Sequence, residues 1–296
     1  MRRRLRALRA IAAAAVAMAA CAPGPAGDPA TLDPSSTEAG PTSTSSQPTP
    51  DPSSPTTRAP TPGPTSPEWL GTRPLPPRPD GFGEVQDTPP ELRDRRLPTV
   101  DHLPPPAGAE FTASVGPVPA AVVQRSTWSP ACPVGLDDLR YVTVDFWGFD
   151  GRPHTGELLV NASAADGLVQ VFRRLHQSRF PIEEMRVVRA EELDLPPTGD
   201  GNNTTAFVCR PITGGSSWSQ HASGLAVDVN PFHNPYLRGD LVVPELASAY
   251  ADRDDRRPGM VRPGDVVTGS FATLGWGWGG AWSTTKDYMH FSATGR

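Results

Sequence analysis

The chain has 296 residues, 37 prolines and a formal net charge of −5, and this length allows one or two domains. All its clustered basic residues lie within the first ten positions, so the charge pattern gives no electrostatic support for nucleic-acid binding.

The first 20 residues are typical of an export signal. Arginines between Arg2 and Arg9 precede an apolar, alanine-rich run from Ile11 to Ala20, which is too short to remain as a membrane-spanning helix. The run ends in Met-Ala-Ala-Cys21, which resembles a bacterial lipoprotein box. We therefore expect an exported protein that a lipid on Cys21 anchors to the outer face of the cell membrane, with ordinary signal cleavage as the alternative.

Residues 21–107 form the next segment, which is dominated by Pro, Ser, Thr, Gly and Ala. Such a composition buries too little apolar surface to offset the entropy of ordering the chain. We predict a disordered tether here, followed by a single globular domain over residues 108–296. Cys132 and Cys209 lie in this domain, and export favours a disulfide between them over two thiols or two zinc ligands.

Within the domain, alternating β-branched and aromatic residues predict a strand over Arg140–Phe146. The turn signal Asp150-Gly151 and a second strand over Gly156–Val160 then complete a hairpin. A helix capped by Ser163 is expected to continue to about Gln177.

Further along the chain the predicted elements are shorter. Glu184–Arg189 is expected to form a short strand, Leu225–Val229 a buried strand, and Leu241–Tyr250 a short helix or a loop. Hairpins and helices without a regular βαβ alternation favour an α+β fold, with a small antiparallel sheet, flanking helices and loops around a cleft.

Three side chains in the C-terminal half form a possible metal site. Asp228 lies inside an apolar strand, where an unpaired carboxylate is costly to bury. His221 precedes it in a Ser- and Gly-rich turn, and His290 lies between apolar residues near the end of the chain. Two histidines and one carboxylate leave a fourth coordination position open, which is typical of a catalytic zinc site. Asp287 is a second carboxylate that could accept a proton from water.

These residues occur in two motifs. The first is Ser-x-His-x-x-Gly-x-Ala-x-Asp over residues 219–228, and the second is the tryptophan-rich stretch 275–282 followed by Asp-x-x-His-Phe over residues 287–291. Together they resemble peptidase family M15, which holds D-alanyl-D-alanine carboxypeptidases, vancomycin-resistance dipeptidases and L-alanyl-D-glutamate endopeptidases. The resemblance covers about residues 140–291.

The resemblance implies a role for each matching position. His221, Asp228 and His290 match the zinc ligands, and Asp287 matches the general base. Arg210 matches the arginine that holds the scissile carbonyl as negative charge develops on it. The remaining assignments are two substrate-binding residues, Ser219 and Trp282. The tryptophan cluster of residues 276, 278 and 282 either forms a packed floor under the site or borders the substrate groove.

The expected activity is zinc-dependent hydrolysis of peptidoglycan stem peptides by a monomer that faces the cell wall and touches the membrane only through its lipid. Asp287 and the tryptophan-rich ending favour an L-Ala-D-Glu endopeptidase slightly over a D,D-carboxypeptidase. The alternatives are a non-catalytic wall-binding lipoprotein on a peptidase scaffold and a small-molecule binder. His102, His154, His176 and His233 are expected to be structural, although His233 could border the cleft.

Overall fold

A computed structural model describes residues 65–296 of the chain. The predicted signal peptide, Cys21 and the tether up to residue 64 lie outside the described residues. Small antiparallel sheets and short helices form the part described, which confirms the predicted α+β class. Between residues 65 and 296, no helix has the length and apolar character needed to cross a bilayer.

The described part contains three α-helices and eleven strands. The helices are α1 (Ala120–Arg125), α2 (Ala165–Gln177) and α3 (Val266–Ala272). The strands are β1 (Ala113–Gly116), β2 (Leu139–Trp147), β3 (Pro153–Asn161), β4 (Glu184–Met185), β5 (Asn203–Thr204), β6 (Ala226–Asp228), β7 (Tyr236–Arg238), β8 (Leu241–Val243), β9 (Gly277–Trp278), β10 (Lys286–Asp287) and β11 (His290–Ser292).

The predicted hairpin is the central pair of the antiparallel sheet β1-β2-β3. Helix α2 packs on this sheet through Leu168, Phe172 and Leu175, which are at most 1% exposed. The predicted cap at Ser163 is wrong, because Ala164 is the N-cap and makes no side-chain cap bond. Ser163 instead bonds through its N–H and hydroxyl to the Asn161 side chain, two residues back in the turn.

Two of the shorter predicted elements differ from the structure. The strand predicted over Glu184–Arg189 is limited to the two residues of β4, which pair in parallel with β5. The segment predicted as a short helix or loop over Leu241–Tyr250 begins as strand β8, because Gly239 adopts a positive φ of 60° and allows β7 and β8 to form a hairpin.

Residues 65–107, hereafter the strap, differ from the predicted tether. Leu75, Leu92 and Leu97 are at most 5% exposed and share a core cluster with Phe232 and Tyr250 of the domain. The apolar residues of this segment are few, but these three leucines reach the domain core. The folded unit therefore begins well before residue 108.

Two further sheets carry Asp228, Asp287 and His290 of the predicted site. Strand β11 lies between β6 and β9, and β7 lies between β10 and β8. The expected disulfide between Cys132 and Cys209 is present, and it joins the segment before β2 to the loop that carries Arg210.

Candidate active site

Strand pairing brings the three predicted metal ligands together. His290 on β11 lies directly opposite Asp228 on β6, and its Nδ1 is 3.0 Å from Asp228 Oδ1. His221 Nε2 is 3.2 Å from Asp228 Oδ2 and 3.2 Å from His290 Nδ1. The potential ligand atoms of all three residues lie within 4.8 Å of one another.

The segment before Asp228 explains the spacing of the first motif. His221 lies in a 3₁₀ turn over Gln220–Ser223, whose start is capped by the Ser219 hydroxyl accepting from the His221 N–H. Gly224 then turns the chain into β6 with a φ of +68°. A Cβ at Gly224 would lie 2.6 Å from the Asn161 nitrogen, so this position requires glycine for space as well as for conformation.

Backbone carbonyls orient both imidazole rings. His221 Nδ1 lies 2.5 Å from the Ala206 oxygen, and His290 Nε2 lies 3.2 Å from the Arg296 oxygen. When each of these nitrogens donates its hydrogen, the other nitrogen of each ring presents a lone pair to the site. Such contacts from outside the ligand set fix the tautomer of metal-binding histidines.

The donor set fits a divalent cation. In these tautomers two ring lone pairs and a carboxylate face one another, and a cation between them would make all three contacts favourable. Two nitrogens and one oxygen from three residues suit zinc with an open coordination position. Among residues 65–296, no second group of three such side chains converges in this way.

Asp287 lies beside the three ligands and borders the same cleft. Its Oδ1 is buried and has no hydrogen-bond partner within the described part of the chain. Burial raises the pKa of Asp287 to about 7, and the nearby charge of Asp228 contributes to this shift. For His290, burial lowers the pKa, but the hydrogen bond and charge of Asp228 outweigh burial and raise it to about 9.

The cleft has a volume of about 380 Å³ and is lined by all four of these residues together with Arg210, Ser219 and Trp282. The structure therefore brings together every residue that the sequence assigned to catalysis, metal binding and substrate binding.

Residues 213–293 match the profile of a protein family described as D-alanyl-D-alanine carboxypeptidase. This region includes the three potential metal ligands and Asp287. The match agrees with the resemblance of this region to peptidase family M15. No curated protein and no solved structure matches the chain.

The tryptophans near the candidate site divide between the two expected roles. Trp276 is 9% exposed and stacks on Phe271, and Trp278 stacks on Phe291, so both contribute to the packed floor. Trp282 borders the cleft and lies 5.9 Å from the His290 ring, and its indole N–H donates to the Gly295 oxygen.

His233 does not border the cleft. It is fully buried, with Nε2 located 2.9 Å from the Arg95 oxygen, and burial lowers its pKa to about 3. It links the strap to the domain, in agreement with a structural role.

Sequence reasoning missed part of the cleft lining, which includes Phe82, Ile212, Trp218, Tyr236, Arg238 and Met289. Tyr236 and Arg238 alternate before a Gly-Asp turn, which is a hairpin signal that could have placed them on one strand face. Phe82 has no such signal, because it lies in a segment whose composition predicts a disordered tether. Phe82 and Arg210 both lie outside the region that matches the M15 family.

Proposed function

We propose that this protein is a zinc-dependent peptidase that hydrolyses peptide bonds in peptidoglycan stem peptides. The observation that carries the proposal is the convergence of His221, Asp228 and His290 beside Asp287 in one cleft, within the region that matches the M15 family. Cleavage between L-Ala and D-Glu is slightly favoured over release of the terminal D-Ala.

In this proposal His221, Asp228 and His290 hold the zinc ion. Zinc bound by three protein ligands supplies Lewis-acid chemistry, which polarises a carbonyl group and makes water more acidic. The carbonyl contacts of the two imidazoles hold the rings in position, so little reorganisation accompanies metal binding.

Asp287 is assigned the role of general base. It accepts a proton from the attacking water and later donates it to the leaving amine. A base is most effective when its pKa lies near the working pH, and the raised pKa of Asp287 is in that range. The unpartnered Oδ1 is free to receive this proton.

Arg210 is assigned to the scissile carbonyl. Its Nη1 donates to the Pro211 oxygen and the Thr213 hydroxyl, which fixes the guanidinium at the border of the cleft. In the described chain its Nε and Nη2 make no hydrogen bond, so they are available to a carbonyl oxygen that gains negative charge. Ser219 acts mainly through the turn that holds His221, and Trp282 contributes an apolar surface beside His290.

Release of terminal D-Ala is the second candidate activity, since the description of the matched family names D-alanyl-D-alanine carboxypeptidase. A non-catalytic wall-binding protein is less well supported, because such a protein has no need for a complete set of ligands, base and arginine.

The test uses the purified full chain, zinc-loaded or chelated, with intact peptidoglycan and a soluble stem pentapeptide, and products are identified by mass spectrometry. New N-terminal D-Glu, or its amide, would establish the endopeptidase, and free D-Ala the carboxypeptidase. Asp287→Ala should abolish either product, while Asp252→Ala, at an exposed aspartate outside the cleft, serves as the control. Absence of cleavage by the zinc-loaded protein would refute the proposal.

We also infer, on the basis of the N-terminal sequence, that the protein is exported and is anchored by a lipid on Cys21. We propose separately that it acts as a monomer. Cys21→Ser should release the protein from the membrane fraction, and mass spectrometry of the mature N-terminus should detect acyl chains on wild-type Cys21. An unmodified N-terminus would leave ordinary signal cleavage as the explanation.

A further inference from the structure

One wall of the cleft is formed by the sheet β10-β7-β8. Asp287, Tyr236 and Val243 are direct partners across its three strands, and all three line the cleft. Their strand neighbours Lys286, Leu237 and Val242 do not line it, as expected when alternate residues point to opposite faces of a sheet.

Arg238 is the next residue on the cleft face of β7. It lies two positions beyond Tyr236, which corresponds to about 7 Å along the strand, and it also lines the cleft. Tyr236 pairs with Asp287, the proposed base. Arg238 therefore lies away from the reaction centre by about the length of two residues of an extended peptide.

The Arg238 guanidinium makes one long ion pair in the described chain. Its nearest carboxylate is Asp80, at 3.8 Å, and Asp80 is also bound by Arg78 at 3.3 Å. The Arg238 side chain is 48% exposed, so it can reach a ligand in the cleft without breaking a strong ion pair.

Phe82 of the strap lies beside Arg238. The Arg238 guanidinium carbon is 5.8 Å from the centre of the Phe82 ring, and both residues line the cleft. The buried Glu245 carboxylate accepts from the Gly83 N–H at 2.7 Å, and the Phe82 carbonyl accepts from the Arg78 N–H at 2.7 Å. These bonds hold the strap turn in place, so the position of Phe82 is a fixed feature of the cleft wall.

The cleft is lined by charges of both signs. Its cations are Arg210, Arg238 and Arg296, and its anions are Asp228 and Asp287. Asp228 is paired with two histidines, and zinc would add further positive charge. Both anions belong to the proposed metal ligands and base, whereas Arg238 lies farther along the cleft wall and can meet an anionic group there.

We propose that Arg238 and Phe82 form a specificity subsite that binds a carboxylate-bearing residue of the peptide substrate. Arg238 pairs with the carboxylate, for which the planar guanidinium is suited, and Phe82 packs against the aliphatic part of the same residue. The inference rests on the proposed function for its peptide ligand, and its binding test does not depend on catalysis.

The test measures binding by calorimetry in the zinc-loaded full chain carrying Asp287→Asn, which blocks turnover. Three ligands are compared: the pentapeptide L-Ala-γ-D-Glu-L-Lys-D-Ala-D-Ala, its C-terminal amide, and the peptide amidated at the D-Glu α-carboxylate. Arg238→Gln should weaken binding of the unmodified peptide by about 10-fold, the loss expected for a hydrogen bond to a charged group. For the ligand amidated at the contacted carboxylate, the same substitution should have less than about a 2-fold effect.

Arg256→Gln is the matched control, because Arg256 is exposed and does not line the cleft. Phe82→Ala should weaken all three ligands by similar factors, and Phe82→Leu should restore most of the affinity. Thermal melts of each variant show whether the strap remains folded. The melting temperatures should stay unchanged in Arg238→Gln.

The outcomes separate the subsite from the proposed function. If the zinc-loaded wild type hydrolyses none of the peptides but Arg238→Gln discriminates between carboxylate and amide, the proposed function fails and the subsite stands. The subsite would be overturned if Arg238→Gln weakened binding of all three ligands equally or weakened none of them. Absence of measurable binding of any peptide to the wild-type cleft would also overturn it, whether or not hydrolysis occurs.

Discussion

One buried ion pair helps the apolar anchors to hold the strap to the domain, and its loss should destabilise the protein strongly. Arg95 and Glu183 make two hydrogen bonds, at 2.6 and 2.8 Å, and their side chains are 2% and 9% exposed. Arg95 also donates to the Asp200 oxygen and lies over the Phe232 ring. In Arg95→Ala, the Glu183 carboxylate would keep one side-chain donor in the described chain, the Asn202 amide.

Breaking a buried ion pair from one side costs about 3–5 kcal/mol, because the remaining charge is left without its partner. A chain of this size loses about 2–4 °C in melting temperature for each kcal/mol. We therefore expect Arg95→Ala to lower the melting temperature by about 6–20 °C. Glu183→Gln should lower the unfolding free energy less than Arg95→Ala does, because the amide oxygen can still accept from the guanidinium.

The assay is urea denaturation of the full chain, followed by tryptophan fluorescence and circular dichroism, with Arg256→Ala as an exposed arginine control. A double-mutant cycle with Arg95→Met and Glu183→Leu isolates the coupling between the two side chains. A loss below about 1 kcal/mol in Arg95→Ala, which is typical of an exposed pair, would refute the argument that this contact anchors the strap.

Four further results are expected. His221→Ala should lose stoichiometric zinc and stability together, since metal-binding energy is also folding energy; a variant that keeps its zinc would remove His221 from the ligand set. Asp287→Ala should keep zinc and lose hydrolysis, and residual activity near the wild-type rate would exclude it as the base. Replacing Cys132 and Cys209 by serine should cost about 3–5 kcal/mol in unfolding free energy, and detection of two free thiols in the exported protein would contradict the disulfide. In the chelated protein, stability should fall as pH rises from 6.5 to about 9, because the pKa of His290 is raised in the folded state; His290→Gln should flatten this slope, and an unchanged slope would refute the assignment.

The three potential metal ligands could be predicted from the sequence because they lie in short local motifs, and because burial of an unpaired carboxylate costs free energy. A carboxylate inside the apolar strand β6 requires a partner, and the histidine turn before it and the histidine on β11 supply two. The central hairpin and α2 were predictable for a similar reason, since their hydrophobic periods are long enough to be distinctive.

The strap and the β7–β8 wall could not be predicted in the same way. Composition is an average over all the residues of a segment. The packing of the strap on the domain, however, depends on a few apolar anchors such as Leu92 and on the buried Arg95. Strands β7 and β8 have three residues each, which is too short for a clear period, and their position is set by pairing with β10 much later in the chain. Nothing in the local sequence indicates that Phe82 would meet Arg238 at the cleft.

The residues inside the region that matches the M15 family depend on residues outside it for their packing. The region that matches the M15 family contains the proposed metal ligands and base, but Val227 on β6 and Phe291 on β11 belong to the same core cluster as Val142 and Leu168, which lie outside that region. A fragment limited to residues 213–293 would expose these apolar side chains, so the site geometry depends on the larger fold. We therefore expect this isolated fragment to bind zinc much more weakly than the full chain, and comparable zinc affinity would show that the site assembles without the remaining core.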